Sequence, residues 1–379
     1  MDIGFILTSA VVAALIVAVF TAVLGLLIAF TDKIVNNYGE VTIDINEGKK
    51  VLKVNGGSKL LSTLSAEGIF IPSACGGRGS CGACKCQVIS DVGPHLPTEI
   101  PYLTEKEQLD NVRLSCQVKV KTDLKLHIPE ELFNIKKLDC IVERIVPLTY
   151  DIKEVTVRMP AGTDLHYVAG NYGQFEVPSY GDIKEPTARA YSFSSHPQQK
   201  DTLEFLIRLV PGGVVTTYVH SFLKVGQKIN VVAPVGDFYV HDNSATMICV
   251  AGGSGMAPMK SIFNERIANG TFNDRPIWYF FGARTTKDMF YLDWLWELDA
   301  KYPNFHFVPA LSEPGPDEDW KGPVGLITVV LDDYMQTKIP LAEEKEGYLC
   351  GSPGMLDACM VVMKKNKMPE ERIYFDKFA

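Results

Sequence analysis

The sequence lacks any run of lysine and arginine, and its 37 basic residues are outnumbered by 45 acidic ones. The net charge of −8 offers no general basic surface to a phosphate backbone, so nucleic acid is not an expected partner. Histidine is scarce, with no His-Glu-x-x-His spacing, and no Ser/His/Asp set stands out. These absences argue against hydrolytic chemistry.

Internal repeats and low-complexity segments are missing as well. The length of 379 residues nevertheless exceeds what one ordinary core contains. Because domains usually contain about 100–200 residues, the chain is expected to form two or three globular units.

Charge is absent from residues 4–30, where Val, Ala, Leu and Ile dominate. A stretch of roughly 20 apolar residues is enough to cross a membrane. The alternative is a signal peptide, which has a basic start and an apolar core of about 7–15 residues. Here Asp2 precedes a longer run. The sequence therefore predicts one transmembrane helix within residues 1–31.

The nine cysteines are odd in number and unevenly spread, which does not favour a disulfide framework in so long a chain. Residues 75–86 read Cys-Gly-Gly-Arg-Gly-Ser-Cys-Gly-Ala-Cys-Lys-Cys, and residues 113–117 read Arg-Leu-Ser-Cys-Gln. The glycines allow backbone amides to point at negatively charged sulfur. The pattern predicts a [2Fe–2S] cluster with the ligands Cys75, Cys81, Cys84 and Cys116.

Two features of the cysteine pattern leave alternatives. Zinc sites usually space their ligands as two Cys-x(2–4)-Cys pairs, which the Cys-x5-Cys-x2-Cys run does not match. The first gap is also one residue longer than in plant-type ferredoxins. Cys86 opens a strand and is interpreted as a small buried residue, not as a ligand. With alternating strand patterns around the loop, residues 39–130 are expected to form a β-grasp-like ferredoxin domain.

The pattern of secondary structure changes twice beyond this domain. Short strands recur at even spacing in residues 137–243, with glycine and proline turns, and predict an antiparallel barrel. Strands and helices alternate in residues 244–379 and predict a parallel sheet with helical crossovers. The expected fold is thus multidomain, α+β and α/β, behind one membrane helix.

The barrel contains Arg-Ala-Tyr-Ser at residues 189–192, which resembles the flavin-binding motif of the ferredoxin–NADP reductase superfamily. By that resemblance Tyr191 packs on the isoalloxazine of FAD, Ser192 lies near its N5 atom, and Arg189 neutralises a phosphate. Residues 212–217, Gly-Gly-Val-Val-Thr-Thr, look like the family's second phosphate turn, where amides at a helix start meet an anion. Residues 234–238, Pro-Val-Gly-Asp-Phe, look like the strand connection that follows it. By this resemblance Gly213, Thr216 and Phe238 are further FAD-binding residues.

Two glycine-containing segments follow strands of the last domain, Gly-Gly-Ser-Gly at residues 252–255 and Cys-Gly-Ser-Pro at residues 350–353. A buried strand, a glycine turn and a helix start supply bare amides for a pyrophosphate. The second segment resembles the superfamily's Cys-Gly-x-Pro beside the nicotinamide. The expected NADH-binding residues are Gly252, Gly253, Gly255, Gly351 and Pro353, and Ser192 and Cys350 are the expected catalytic residues. The terminal aromatic Phe378 is expected to cover the flavin.

The domain order as a whole resembles the family of NADH-oxidising subunits of sodium-translocating NADH:quinone oxidoreductases. That resemblance implies hydride transfer from NADH to FAD and release of single electrons through the cluster to integral membrane subunits. Quinone is then reduced indirectly, and the complex translocates sodium. The protein would be single-pass in the cell inner membrane, with its soluble domains on the cytoplasmic side.

Two other functions fit parts of the sequence. The reductase component of a multicomponent oxygenase shares the last three domains but normally has no membrane anchor. A redox-sensing or scaffold protein would bind the cofactors without turnover, although the intact cysteine and flavin motifs argue against it.

Overall fold

The computed structural model describes the backbone of residues 3–35, 38–73, 75–316, 319–340 and 343–377, and the side chains of those ranges except 3–11, 29, 32–35 and 130–131. The chain divides into two compact units, Met1–Phe133 and Asn134–Ala379.

The first unit begins with helix α1 (Ile3–Val35). Its side chains at residues 12–28 are apolar or small and exposed. Among the residues whose placement is described, no helix has the length and apolar character that crossing a membrane requires. The membrane-spanning helix predicted for residues 1–31 is therefore not confirmed.

The rest of the first unit is a β-rich domain. Its sheet has the order β2-β1-β5-β3-β4, in which β1 and β5 run parallel and the other pairs antiparallel. Alternate residues of β1 face the core, as its alternating sequence predicts, and α2 covers the sheet with Leu60 and Leu64. The elements are β1 (Glu40–Ile45), β2 (Lys50–Asn55), α2 (Leu60–Ala66), β3 (Lys85–Val88), α3 (Glu105–Leu109), β4 (Val112–Leu114) and β5 (Leu124–His127), with 3-10 turns at Ile100–Tyr102 and Glu130–Asn134.

The second unit opens with an antiparallel sheet of order β10-β7-β6-β11-β8-β9. A bridge between Phe193 and Phe205 joins its two edges, so the sheet closes as a barrel around an aliphatic and aromatic core. The elements are β6 (Lys136–Pro147), β7 (Ile152–Arg158), β8 (Tyr172–Val177), β9 (Thr187–Ser192), β10 (Thr202–Arg208), α4 (Val214–Ser221) and β11 (Lys228–Val235).

The same unit ends in a parallel sheet of order β14-β13-β12-β15-β16 with helices packed against it. The strand order reverses between β12 and β15, which is where α/β proteins open a crevice for nucleotides. The elements are β12 (Thr246–Gly252), α5 (Met256–Ala268), β13 (Ile277–Ala283), α6 (Leu292–Lys301), β14 (Phe305–Leu311), α7 (Ile327–Thr337), β15 (Lys345–Gly351), α8 (Pro353–Lys365) and β16 (Ile373–Lys377), with 3-10 turns at Gly253–Gly255, Thr286–Asp288 and Glu370–Arg372.

A network of ion pairs around the buried Glu154 joins the barrel to helix α5, which packs against this parallel sheet. Lys260 of α5 donates from Nζ to Glu154 of β7 (3.0 Å) and to Glu204 of β10 (2.8 Å). Arg144 Nη2 also donates to Glu154, at 2.5 Å. Removing one member of such a network leaves an uncompensated buried charge, so α5 is held firmly against the barrel. The predicted barrel and parallel sheet are confirmed.

Candidate functional site

The predicted iron ligands lie as two pairs of thiols in the first unit. Cys75 and Cys81 have their Sγ atoms 3.4 Å apart. Cys84 and Cys116 form a second hydrogen-bonded pair. The pairing of β3 with β4 produces this second contact, because the Ser115 amide donates to the Cys84 carbonyl at 2.8 Å. Cys116 is thereby carried to the end of the cysteine loop.

The pairs fit a [2Fe–2S] cluster, in which each iron takes two thiolates. Within the described ranges, no three His, Cys, Asp or Glu side chains are arranged to hold one metal ion. Burial opposes ionisation of Cys75, but hydrogen bonds from backbone amides and Cys81 outweigh it and lower the pKa of Cys75, and the bond with Cys84 lowers that of Cys116. Burial raises the pKa of Cys81, and the bond with Cys116 raises that of Cys84. One thiol of each pair is therefore biased towards the thiolate, the form that binds iron.

Two glycines of the loop are required by its shape. Gly79 and Gly82 have φ of 79° and 68°, a region that L side chains rarely adopt. A Cβ at Gly79 would lie 2.5 Å from Gln117 Nε2, and one at Gly82 would lie 2.7 Å from the Tyr102 ring. The cysteine loop therefore packs closely against Gln117 and Tyr102.

Cys86 differs from the four predicted ligands in its surroundings. It is buried in β3 opposite Arg113, and burial raises the pKa of its thiol to about 12. Such a thiol stays neutral, which agrees with its interpretation as a core residue.

A buried ion pair that sequence reasoning missed supports the arm of Cys116. Arg113 donates to both carboxylate oxygens of Glu99, at 3.1 and 2.7 Å, and Glu99 also accepts from the backbone amides of Leu96 and Leu114. Neither charged side chain is more than 3% exposed. The signal in the sequence was a charged residue only three positions before a ligand.

The flavin-motif residues Arg189, Tyr191 and Ser192 share strand β9. Phe175 meets the Tyr191 ring edge-on, with centroids 6.3 Å apart. Ser192 Oγ donates to Asp376 Oδ2 of β16 at 3.1 Å, so the flavin strand touches the last strand of the parallel sheet.

The predicted second phosphate turn is a helix start. Gly213 is the N-cap of α4, and a Cβ there would lie 2.6 Å from Thr216 Oγ1. Thr216 Oγ1 accepts from the Val210 amide at 3.2 Å, which closes the turn. Phe238, by contrast, packs its ring edge-on against Tyr348 in the core. Phe378 lies outside the described residues.

The two glycine segments of the parallel sheet meet at the strand-order reversal. Ala251 pairs with Cys350 in register, so the turns that follow β12 and β15 lie side by side. A Cβ at Gly255 would lie 2.2 Å from the Cys350 carbonyl oxygen, and one at Gly252 would lie 3.1 Å from Met355 Sδ. Pro353 occupies the first turn of α8 behind this edge. The structure thus brings together the predicted NADH-binding segments.

Asp376 was not found from the sequence. It pairs with Cys350 across β15 and β16 and accepts the hydrogen bond from Ser192. Burial raises the pKa of Asp376 to about 6, and the negative charge of Asp237 adds to that rise while Ser192 opposes it. Burial and Asp376 together raise the pKa of Cys350 well above its usual value. An acidic residue in the final strand was the available signal.

Three domain families match the chain. The 2Fe-2S iron-sulfur cluster binding domain matches residues 43–121, the oxidoreductase FAD-binding domain residues 139–239, and the oxidoreductase NAD-binding domain residues 249–360. Fold, site and domain matches define the class: an iron–sulfur flavoprotein reductase of the ferredoxin–NADP reductase superfamily. The predicted cofactors FAD and [2Fe–2S], with NADH as substrate, are confirmed.

Solved structures and curated sequences place the chain further. A cytochrome P450 reductase from Amycolatopsis has a TM-score of 0.70 at 26% identity, covering 89% of this chain and 98% of its own. The ferredoxin reductase of carbazole 1,9a-dioxygenase has a TM-score of 0.66 at 26% identity, with 90% and 99% covered.

Curated relatives in Neisseria meningitidis and Klebsiella pneumoniae are each 36% identical, over 95% and 94% of this chain and 97% and 95% of theirs. Both are named as the same subunit of the Na(+)-translocating NADH-quinone reductase. The chain belongs to this family. The prediction of a flavin-dependent, NADH-oxidising subunit is confirmed, and the oxygenase reductase is the less supported alternative.

Proposed function

We propose that this chain is the electron-input subunit of a sodium-translocating membrane complex, and that it oxidises NADH and passes single electrons to integral membrane partners that reduce quinone. When bound, FAD supplies hydride chemistry and a [2Fe–2S] cluster supplies one-electron transfer. The observation that carries the proposal is the meeting of Ser192, Cys350 and Asp376 where the flavin strand reaches the nucleotide crevice.

The crevice residues would hold NADH. Amides of Gly252, Gly253 and Gly255 at the start of α5 would bind the pyrophosphate, and Gly351 and Pro353 would shape the neighbouring wall on the nicotinamide side. Cys350 lies near the end of strand β15, next to the central strand β12, where its buried neutral thiol packs without adding charge.

A carboxylate in the next loops supports a preference for NADH over NADPH. Glu313 follows β14, and its amide donates to the carbonyl of Arg284, which follows β13, at 2.8 Å. In dinucleotide-binding sheets the acidic residue that accepts a hydrogen bond from the ribose 2′-hydroxyl lies about 20 residues after the glycine turn. Glu313 lies farther along the chain, and its carboxylate would likewise repel a 2′-phosphate. We propose that Glu313 has this role and that Arg284 alone does not reverse the preference.

The barrel residues would hold FAD. Tyr191 offers its ring to the isoalloxazine, Arg189 offers positive charge to the phosphates, and Gly213 and Thr216 shape the helix start that receives an anion. Phe238 would support this wall from the core.

The pair of Ser192 and Asp376 would handle the proton that accompanies hydride chemistry. A carboxyl with a pKa of about 6 exchanges its proton near neutral pH, and Ser192 Oγ already donates to its Oδ2 atom. In this proposal Ser192 would present its hydroxyl to the flavin, and Asp376, bonded to that hydroxyl, would hold or release the proton.

Helix α1 supports attachment to the membrane. The 27 residues at positions 4–30 carry no charge, and the helix Ile3–Val35 includes them. We propose a single-pass anchor with the cofactor domains on the cytoplasmic side, where NADH is found. A chain that begins at residue 32 should then be released from membranes and still oxidise NADH with an artificial acceptor. A truncated chain that stays in the membrane fraction would contradict the anchor.

An anaerobic titration of the purified chain with NADH tests the redox proposal. The absorption bands of flavin and cluster should both bleach, and reduction should be faster with NADH than with NADPH. Flavin bands that do not change with NADH would contradict the proposed electron input. Co-purification with integral membrane subunits then distinguishes this function from that of a soluble oxygenase reductase.

A further inference from the structure

The Ser115 hydroxyl is a polar group without an evident use. Ser115 precedes the proposed ligand Cys116 and is 0% exposed. In the described part of the chain, its Oγ atom has no hydrogen-bond partner of normal geometry. Burying a hydroxyl without a partner costs about 1–3 kcal/mol, so such a group calls for an explanation.

The position of Ser115 points to the second thiol pair. The Ser115 amide donates to the Cys84 carbonyl at 2.8 Å, which holds the two residues against each other. Ser115 is therefore bonded through its backbone to the residue that carries one thiol of the pair, and it is the chain neighbour of Cys116, which carries the other. A sulfur that becomes a thiolate is a stronger acceptor, so a bound cluster would offer this buried hydroxyl the partner that it lacks.

The neighbouring residue provides a comparison within the same site. Gln117 Nε2 donates to the Cys116 sulfur at 3.4 Å, so a side-chain donor already serves the other thiol of the pair. Ser73 near the first pair is different, because its hydroxyl accepts from the Gly77 amide at 2.8 Å and supports the loop. The Ser115 hydroxyl supports no comparable turn.

We propose that the Ser115 hydroxyl donates a hydrogen bond to the Cys84 sulfur once that sulfur is an iron-bound thiolate, and that this bond raises the reduction potential of the [2Fe–2S] cluster. The inference rests on the assignment of Cys84 as a ligand made above. An added electron makes the sulfurs more negative, so a donor stabilises the reduced state more than the oxidised state.

The test is a redox titration of the cluster in the full chain, followed by electron paramagnetic resonance. Ser115→Ala removes the donor and should make one-electron reduction about three- to tenfold less favourable, where tenfold corresponds to about 59 mV. Ser115→Thr keeps the hydroxyl and should retain the wild-type potential. Ser65→Ala changes an exposed serine of the same unit and should also leave the potential unchanged.

Two further measurements separate tuning from packing. Resonance Raman bands of the iron–thiolate bonds should shift between H2O and D2O in the wild type, and less so in Ser115→Ala. The cluster-free Ser115→Ala chain should unfold at the same temperature as the wild type or higher, because its hydroxyl was unpaired.

Several outcomes would overturn the inference. One is an intact cluster with an unchanged potential in Ser115→Ala, and another is an equal drop in Ser115→Ala and Ser115→Thr. If Ser115→Ala and Ser115→Gly both failed to assemble a cluster while Ser115→Thr succeeded, the hydroxyl would serve assembly instead. A wild-type chain without any [2Fe–2S] signal would contradict the ligand assignment itself, so the two failures are distinguishable.

Discussion

The cysteine loop and the nucleotide crevice differ in the sequence separation of their residues, which is short in the loop and long in the crevice. Cys75, Cys81 and Cys84 lie within one short loop, and only Cys116 arrives from elsewhere, through the pairing of β3 with β4. In the crevice, Ser192 and Asp376 form a hydrogen bond although 184 positions separate them. A site built from one loop is visible as a spacing pattern, whereas a site built from strand ends depends on the sheet that aligns them.

If electrons pass from the nucleotide crevice to the cluster, removing one thiolate ligand should stop transfer through the cluster and leave NADH oxidation at the crevice intact. Cys84→Ser should abolish the [2Fe–2S] signal and electron transfer to quinone in membranes, because one iron loses a ligand. NADH should still bleach the flavin, since the crevice is unchanged. Stopped-flow absorption and electron paramagnetic resonance measure the two effects.

The matched control is Cys86→Ala, which changes a neutral core thiol of the adjoining strand β3 and should keep the cluster signal. A Cys84→Ser chain with a normal signal would show that the ligand assignment is wrong, and Cys86 would then be the first substitute.

NADH oxidation at the crevice should be sensitive to the addition of a single methyl group. In Gly255→Ala the new Cβ would lie 2.2 Å from the Cys350 carbonyl, so backbone must move. Displacing reacting groups by about 1 Å costs on the order of 100-fold in rate, and we expect a loss of that size in NADH oxidation. The cluster signal should remain.

Gly354→Ala is the control for this substitution, since a Cβ there meets nothing within 4 Å among the described residues. Equal NADH oxidation by the Gly255→Ala and wild-type chains would contradict the close approach of the two turns.

Asp376 is expected to make the rate of NADH oxidation depend on pH. Asp376→Asn should slow NADH oxidation about tenfold at neutral pH and remove an inflection near pH 6 from the wild-type rate profile. The control Asp357→Asn changes an exposed acid that pairs with Lys377 and should keep the inflection. Identical pH profiles for Asp376→Asn and wild type would exclude this role.

The same residue predicts a stability difference. Because folding raises the pKa of Asp376, its contribution to stability is complete below the unfolded pKa and is lost as pH rises through about 6. Asp376→Asn should therefore unfold at a higher temperature than wild type at pH 7.5, and the difference should disappear near pH 4. Calorimetry at the two pH values measures this, and a destabilised variant at pH 7.5 would contradict the sign.

The smallest expected effect concerns the choice of nucleotide. Glu313→Ser should raise the ratio of catalytic efficiency with NADPH to that with NADH by several-fold to about tenfold. The substitution removes a negative charge that repels the 2′-phosphate but adds no new phosphate ligand. Asp319→Ser removes an equal charge from an exposed ion pair with Lys321 and should leave the ratio unchanged. An unchanged ratio in Glu313→Ser would contradict its proposed contact.

Local signals carried most of the predictions. The Cys-x5-Cys-x2-Cys spacing, the Arg-x-Tyr-Ser strand and the glycine turns all lie within a few residues, so their chemistry is readable without a fold. Strand periodicity distinguished the barrel from the parallel sheet, and both are confirmed. Long-range partners were not readable in this way: Glu99 beside Arg113, Asp376 beside Ser192, and the network around Lys260 have no local spacing of their own.

The sequence by itself determined the domain order, the cofactor set and the candidate ligands, because those depend on residue types at short fixed intervals. Only the tertiary structure decided which buried charge meets which partner and which glycine has no room for a side chain. The physical reason is that burial and strand register set these contacts: a carboxyl such as Asp376 acquires a raised pKa from its surroundings. The type of a residue does not specify the surroundings that the folded chain gives it.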